Sequence, residues 1–146
     1  MDANQIKNAV LAVVASVGSF VANQLGGWDT ALQALVGFMA ADYATGLIVA
    51  GVFKRSGKSA GGALDSLAGF KGIVKKCATL VLVWMGALMD GVIGAEYIRT
   101  AVTLFFIANE ALSVIENIGL MGVPYPPFLK SALEAIKDKN SNATPQ

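Results

Sequence analysis

Polar side chains recur along one face of an otherwise apolar segment near the end of the chain. On a helix that turns about 100° per residue they share an arc of about 120°, and Arg99 projects onto it. An acidic or basic residue at the bilayer centre costs roughly 2.5 to 3.5 kcal/mol, so such groups face a bundle interior or water. This polar stripe therefore predicts a helix that packs against protein or lines an aqueous path. Its members are Asn109, Glu110, Ser113, Glu116 and Asn117.

Two further carboxylates, Asp42 and Asp90, lie inside apolar segments. Each needs a hydrogen-bonding partner or water to be tolerated in a bilayer. Each is therefore either a functional acid or a group that orders the bundle through an inter-helix hydrogen bond, and the sequence leaves both alternatives open. The polar stripe favours function, because several polar groups on one arc need a shared polar surface.

Composition argues against most enzyme chemistry. The 146 residues include no His and one Cys, which removes imidazole bases, His-containing metal sites and intrachain disulfides. We therefore expect no enzyme activity, no cofactor and no metal. Hydrophobic residues make up 55% of the chain and charged residues 14%, with a mean hydropathy of +0.59. This balance is typical of a membrane protein.

Gly57, Lys58 and Ser59 resemble the end of a phosphate-binding loop, whose backbone amides cradle phosphate oxygens. The motif requires four residues between its two glycines, whereas Gly51 stands one residue too far from Gly57. An apolar helix also replaces the strand that should precede the loop. A flexible basic loop is the better interpretation, and we expect neither a nucleotide nor a nucleic acid as a partner.

Four apolar segments approach or exceed the roughly 20 residues that cross a bilayer. The expected fold class is an all-α membrane protein with four transmembrane helices, or three if the first segment is interfacial. A cleaved signal peptide is disfavoured, because Asp2 weakens the basic start and no clean cleavage site ends the apolar run. The predicted helices cover residues 9–25, 28–53, 77–95 and 100–123.

Basic residues concentrate in the glycine-rich stretch 54–76, which holds six of the eleven and the single acid Asp65. The positive-inside rule places this loop in the cytoplasm, where it can also dock anionic headgroups. Four crossings put both chain ends in the cytoplasm, whereas three put the N-terminus outside. The six basic residues are Lys54, Arg55, Lys58, Lys71, Lys75 and Lys76.

The end of the chain is predicted to leave the membrane. Pro124, Pro126 and Pro127 stop the fourth helix. Residues 128–139 carry apolar side chains on one face, which predicts a short amphipathic surface helix. Residues 140–146 are polar and are predicted to be disordered. Residues 1–139 therefore form a single transmembrane domain.

Three stretches resemble the phage lysis and toxin-secretion holins, the group that includes the holin-like protein of the clostridial toxin locus. With their order and spacing, the likeness covers about residues 28–133, and the third stretch is the most specific. The first apolar segment matches that family mainly in being apolar. The stretches are GFMAADYATGL at 37–47, SLAGFKGIVKK at 66–76, and FIANEALSVIENIG at 106–119 running into PYPP at 124–127.

The resemblance implies a small protein that accumulates in the bacterial cytoplasmic membrane, forms homo-oligomers and opens lesions at a set time. Through these lesions a murein hydrolase (endolysin) or, in some members, a large toxin leaves the cytoplasm. On this hypothesis the polar stripe is first satisfied between helices and then lines the lesion wall. Asp42 would fix the second helix in the oligomer.

Two other classes of protein remain open. A small ion channel or transporter could use Asp42 or Asp90 as a cation or proton site, although the chain lacks an evident internal repeat. Such a channel passes ions without releasing a folded enzyme. A partner-binding membrane protein would use the basic loop and the amphipathic tail as docking surfaces, and it would cause no permeability.

Overall fold

The computed structural model describes residues 2–58, 61–129 and 131, and these residues form helices and connecting turns without a strand. The four long helices are α1 (Ala3–Gln24), α2 (Thr30–Ile48), α3 (Ser66–Ile93) and α4 (Ile98–Leu120). A π-helical turn, Val49–Phe53, continues α2. Counting that turn with α2, all four helices are long and apolar enough to cross a membrane. The expected all-α membrane fold is confirmed.

Helix α3 begins at Ser66, well before the start predicted at residue 77. Asp65 starts it, because its Oδ1 accepts the backbone N–H of Leu67 at 2.9 Å and satisfies one N-terminal donor. Lys71, Lys75 and Lys76 therefore lie on a helix, and the basic loop is the segment before it, which carries Lys54, Arg55 and Lys58. Hydropathy marks where a segment becomes apolar, whereas the cap marks where its helix begins.

The same difference appears at the other helix ends. Helix α1 begins at Ala3 instead of residue 9, and the Gln5 side chain accepts the Asp2 N–H at 3.0 Å. Helix α4 ends at Leu120, before the predicted residue 123, because Gly122 adopts a φ of 87°. The amphipathic helix predicted for 128–139 is described only at its start, where 127–129 and 131 are helical. The remainder of that helix and the disordered tail predicted for 140–146 lie outside the described residues.

The described residues divide into two compact units, and α2, α3 and α4 each contribute to both. The first unit combines residues up to Gly37 with Val74–Ile107, and the second combines Phe38–Ile73 with residues from Ala108 onward. Leu32, Leu35, Val83 and Thr103 are fully buried in the first unit, and Met39, Val49 and Ala50 are buried in the second.

Helix α1 contributes no buried residue to the first unit. Its apolar side chains are exposed in every direction, with Val13 at 62% and Phe20 at 65% exposure. In a bilayer, acyl chains cover such surfaces without cost, because lipid tails are as apolar as leucine. The chain becomes buried only at Leu25, in the turn that follows α1.

Candidate functional site

A buried guanidinium in the first unit binds the turn between α1 and α2. Arg99 is 9% exposed, and its Nε donates to the carbonyl oxygen of Leu25. Its Nη2 donates to the carbonyl of Gly27 at 3.2 Å. The same fork reaches Asp29 twice, with Nη1 2.6 Å from Oδ2 and Nη2 3.2 Å from Oδ1. This Arg99 clamp (Arg99, Leu25, Gly27 and Asp29) ties the start of α4 to the turn.

Glycine makes this close approach possible. A Cβ atom at Gly26 would lie 2.6 Å from Cδ of Arg99, and Gly26 has a φ of 88° that other residues rarely adopt. Asp29 also caps α2, since its Oδ1 accepts the N–H of Leu32 at 2.8 Å. The Arg99 guanidinium, followed by that N–H, holds the pKa of the Asp29 carboxyl below its ordinary value of 3.8.

Asp90, near the end of α3, accepts hydrogen bonds from the first two backbone N–H groups of α4. Its Oδ1 lies 3.0 Å from the nitrogen of Ile98, and its Oδ2 lies 2.9 Å from that of Arg99. These donors have no partner within α4, so the carboxylate of one helix caps the next. This geometry corresponds to the ordering role, one of the two alternatives that the sequence left open for Asp90.

Asp42 lies in a polar cluster of the second unit, together with Thr45, Lys58 and Asn117. The Nδ2 of Asn117 donates to Oδ1 and to the carbonyl of Asp42, at 3.1 and 3.2 Å, and lies 2.9 Å from Oγ1 of Thr45. Asp42 and Asn117 are each only 7% exposed. Lys58 Nζ stands 3.8 Å from Asp42 Oδ1. This Asp42 cluster joins α2 to α4 and to the basic loop.

The remaining stripe residues differ in exposure. Glu110, Ser113 and Glu116 are half-buried, whereas Asn109 is exposed. The guanidinium of Arg99, grouped with them by helical projection, belongs to the Arg99 clamp. A projection ignores distance along the axis, and ten residues of helix separate Arg99 from Asn109 by about 15 Å.

Sequence reasoning missed residues of both clusters and also Gly86, which lies against the backbone of Arg99. Asp29 had a usable signal, because an acidic residue directly before an apolar helical run is typical of an N-cap. Thr45 had none, since a threonine within a helix commonly bonds back to its own turn, as Thr45 Oγ1 also does to Ala41 at 2.8 Å. Gly86 had none either, and a Cβ there would lie 3.0 Å from Cα of Arg99.

The predicted headgroup residues are mostly accessible. Lys54, Arg55, Lys71 and Lys75 are exposed, and Lys76 is half-buried. Lys58 is also exposed, although its ammonium group approaches Asp42. Within the described part of the chain, no group of three acidic, His or Cys side chains could hold a metal ion.

Comparison with known proteins matches this chain to one family and to several bacterial and phage proteins. The model of the bacteriophage holin family matches residues 19–138. An uncharacterized protein of Clostridium perfringens is 36% identical over 118 residues, which cover 80% of this chain and 82% of that protein. An uncharacterized Listeria monocytogenes protein is 39% identical over 72% of this chain and 70% of its own length. A protein named "Probable holin" from Bacillus phage phi105 is 32% identical over 70% of this chain and 71% of its own. No solved structure matches.

Proposed function

Because this chain belongs to the bacteriophage holin family, we propose that it oligomerises in the bacterial cytoplasmic membrane and forms lesions there. A murein hydrolase, or a large toxin in a secretion setting, would cross through these lesions. Similarity to a protein named as a phage holin supports timed host lysis as the setting. The family is not an enzyme family, which agrees with the expectation from composition.

The observation that carries this proposal is the graded exposure of the polar stripe. Asn117 is buried against Asp42, whereas Asn109, on the same arc of α4, is exposed on a helix apolar enough to span the bilayer. An amide exposed to hydrocarbon is costly, so contact with water or with another copy of the chain stabilises it. The stripe therefore favours association, and an assembled ring could turn it toward water.

We assign different roles to the two ends of the stripe. Asn117 and Asp42 hold α2 against α4 within one chain, at hydrogen-bond distances of about 3 Å. Asn109, Glu110, Ser113 and Glu116 would face neighbouring copies first and the lesion interior afterwards. Glu110 and Glu116 would then gain hydration when the lesion opens, which favours the open state.

The proposal is tested by inducible expression in a bacterium, with and without a cytoplasmic murein hydrolase that lacks a signal sequence. Culture density, membrane potential and hydrolase release are followed together. A holin gives sudden depolarisation after a delay, followed by lysis only when the hydrolase is present. Depolarisation without enzyme release would instead indicate an ion channel, and undisturbed growth with the protein inserted would indicate a partner-binding protein.

Substitutions in the stripe test the assigned residues. We expect Glu110→Leu and Glu116→Leu to insert normally and to delay lysis, because a leucine gains nothing from facing water. Glu96→Leu is the matched control, since Glu96 is an exposed acid in the α3–α4 turn. Wild-type timing in both stripe variants, at wild-type membrane levels, would refute the role of the stripe.

A further inference from the structure

Helix α3 is longer than a membrane requires. Its 28 residues extend about 42 Å, whereas the hydrocarbon core of a bilayer is about 30 Å thick. The excess lies at the first turns, because these carry Lys71 and directly follow the basic loop. We therefore expect residues from Ser66 to about Ile73 to lie at the depth of the lipid headgroups.

The exposed face of these turns combines apolar and basic side chains. Leu67 and Phe70 are 58% and 63% exposed, and Lys71 follows on the same side at four-residue spacing from Leu67. The opposite side faces protein, since a Cβ at Gly69 would lie 3.6 Å from the hydroxyl of Tyr43. Apolar and aromatic residues beside lysines are typical of helices that lie in a membrane interface.

The basic loop carries two further cations, Lys54 and Arg55, where its backbone is hydrogen-bonded. Lys54 adopts a left-handed φ of 49°, and the N–H of Arg55 donates to the carbonyl of Val49 at 3.2 Å. The loop closes where the N–H of Ser56 donates to the carbonyl of Gly62 at 3.0 Å. A Cβ at Gly62 would clash with the carbonyl oxygen of Lys54, so the two chain segments meet where only glycine fits.

The net charge of this surface indicates which class of ligand it binds. Residues 54–73 have a net charge of +3. They include four basic residues, Lys54, Arg55, Lys58 and Lys71, and one acidic residue, Asp65. Lys58 approaches Asp42, whereas Lys54, Arg55 and Lys71 are exposed and accessible to a ligand. A soluble acidic partner could use these charges but would leave the exposed Leu67 and Phe70 at headgroup depth unexplained.

We propose that Lys54, Arg55 and Lys71, together with Leu67 and Phe70, form a binding surface for anionic phospholipids of the adjoining leaflet. The cations bind the headgroup phosphates, and the two apolar side chains enter the acyl boundary beside them. Binding at this surface fixes the depth of the basic end of α3. This assignment does not rest on lesion formation, because it concerns the single chain.

The test uses the full chain in a neutral detergent, with its unfolding temperature followed as short-chain phosphatidylglycerol is added. Phosphatidylcholine of the same chain length and inorganic phosphate are the comparison ligands. We expect phosphatidylglycerol alone to stabilise the protein strongly.

Each basic residue near an anionic lipid surface contributes a factor of about five in affinity, so Lys71→Gln should raise the half-saturating concentration about fivefold. The triple Lys54→Gln, Arg55→Gln, Lys71→Gln variant should raise it about 100-fold.

Lys7→Gln is the matched control, since Lys7 is an exposed lysine on α1 outside the proposed surface. It should bind phosphatidylglycerol like the wild type, and Phe70→Ser should bind more weakly at unchanged charge. Unfolding temperatures without lipid show whether each variant is folded. Equal stabilisation by phosphatidylcholine or by phosphate would overturn the proposal, as would wild-type binding by the triple variant or equal weakening by Lys7→Gln.

Discussion

Arg99 is a buried cation whose side chain donates hydrogen bonds to the turn between α1 and α2. A buried charge is tolerated only when it is paired and hydrogen-bonded. Here two backbone carbonyls and the carboxylate of Asp29 supply the acceptors. Because the side chain of Asp29 is 47% exposed, the pair lies at the boundary between protein and water. The strength of the Arg99–Asp29 ion pair should therefore depend on the pH of the solution.

We expect the stability of the protein to fall in acid through Asp29. The folded pKa of this carboxyl lies below its unfolded value of 3.8, so its contribution is fully present above pH 3.8 and is lost as pH falls through the folded pKa. Thermal unfolding measured as pH falls below 3.8 should show a smaller loss of stability in Asp29→Asn than in the wild type. Arg99→Gln should reduce the loss in the same way, and an unchanged pH profile in both variants would contradict the Arg99 clamp.

Residue type and position indicated that Asp42 and Asp90 need partners in a bilayer, and they grouped Arg99 with the polar stripe. They were not enough to identify the partners. Asn117 lies 75 positions from Asp42, and Arg99 lies 70 from Asp29, so no local pattern connects them. Only the packing of the helices brings these pairs together, and a single sequence does not specify that packing.

At the scale of elements, α3 and α4 pack closely where α4 begins. Gly86 of α3 faces the backbone of Arg99, and its missing side chain allows the approach. In membranes, small residues at such contacts permit the dispersion contacts and hydrogen bonds that hold helices together. The Asp90 cap lies one turn further along the same face of α3.

Gly86→Ala should destabilise the protein by about 1–3 kcal/mol, because the added methyl group meets backbone atoms that cannot move alone. Gly91→Ala is the matched control on the same helix, since a Cβ there meets nothing within 4 Å. It should be neutral or should stabilise the protein by up to about 1 kcal/mol through helix propensity. The two variants are compared by their free energies of unfolding in mixed micelles. Equal values would contradict the close contact between Gly86 and the backbone of Arg99.

Helix existence was predictable from the sequence because each apolar segment is long. Helix ends were less predictable, since Asp65 begins α3 well before its apolar run, and Asp29 begins α2 inside the segment predicted from residue 28. The π-helical turn at Val49–Phe53 left no signal, because its residues would suit an α-helix equally well. Local hydrogen bonding at each end decides these boundaries, and hydropathy does not record it.

At the scale of the whole molecule, four spanning helices and the positive-inside rule predict both ends of the chain in the cytoplasm. Single cysteines in a Cys77→Ser background test this arrangement in intact cells with a membrane-impermeant maleimide. Glu96→Cys should react, whereas Asp2→Cys and Lys54→Cys should react only after the membrane is opened. Reaction at position 2 in intact cells would mean that α1 does not span and that three crossings remain.

The Asp90 cap also bears on how the protein is made. The first N–H groups of α4 are satisfied by a carboxylate that precedes them in the chain, so α4 is complete only when α3 is beside it. Before α3 is in place, water at the outer surface is what can satisfy these donors, and docking of α3 replaces that water. We therefore expect α3 and α4 to dock as a helical hairpin once both have been inserted.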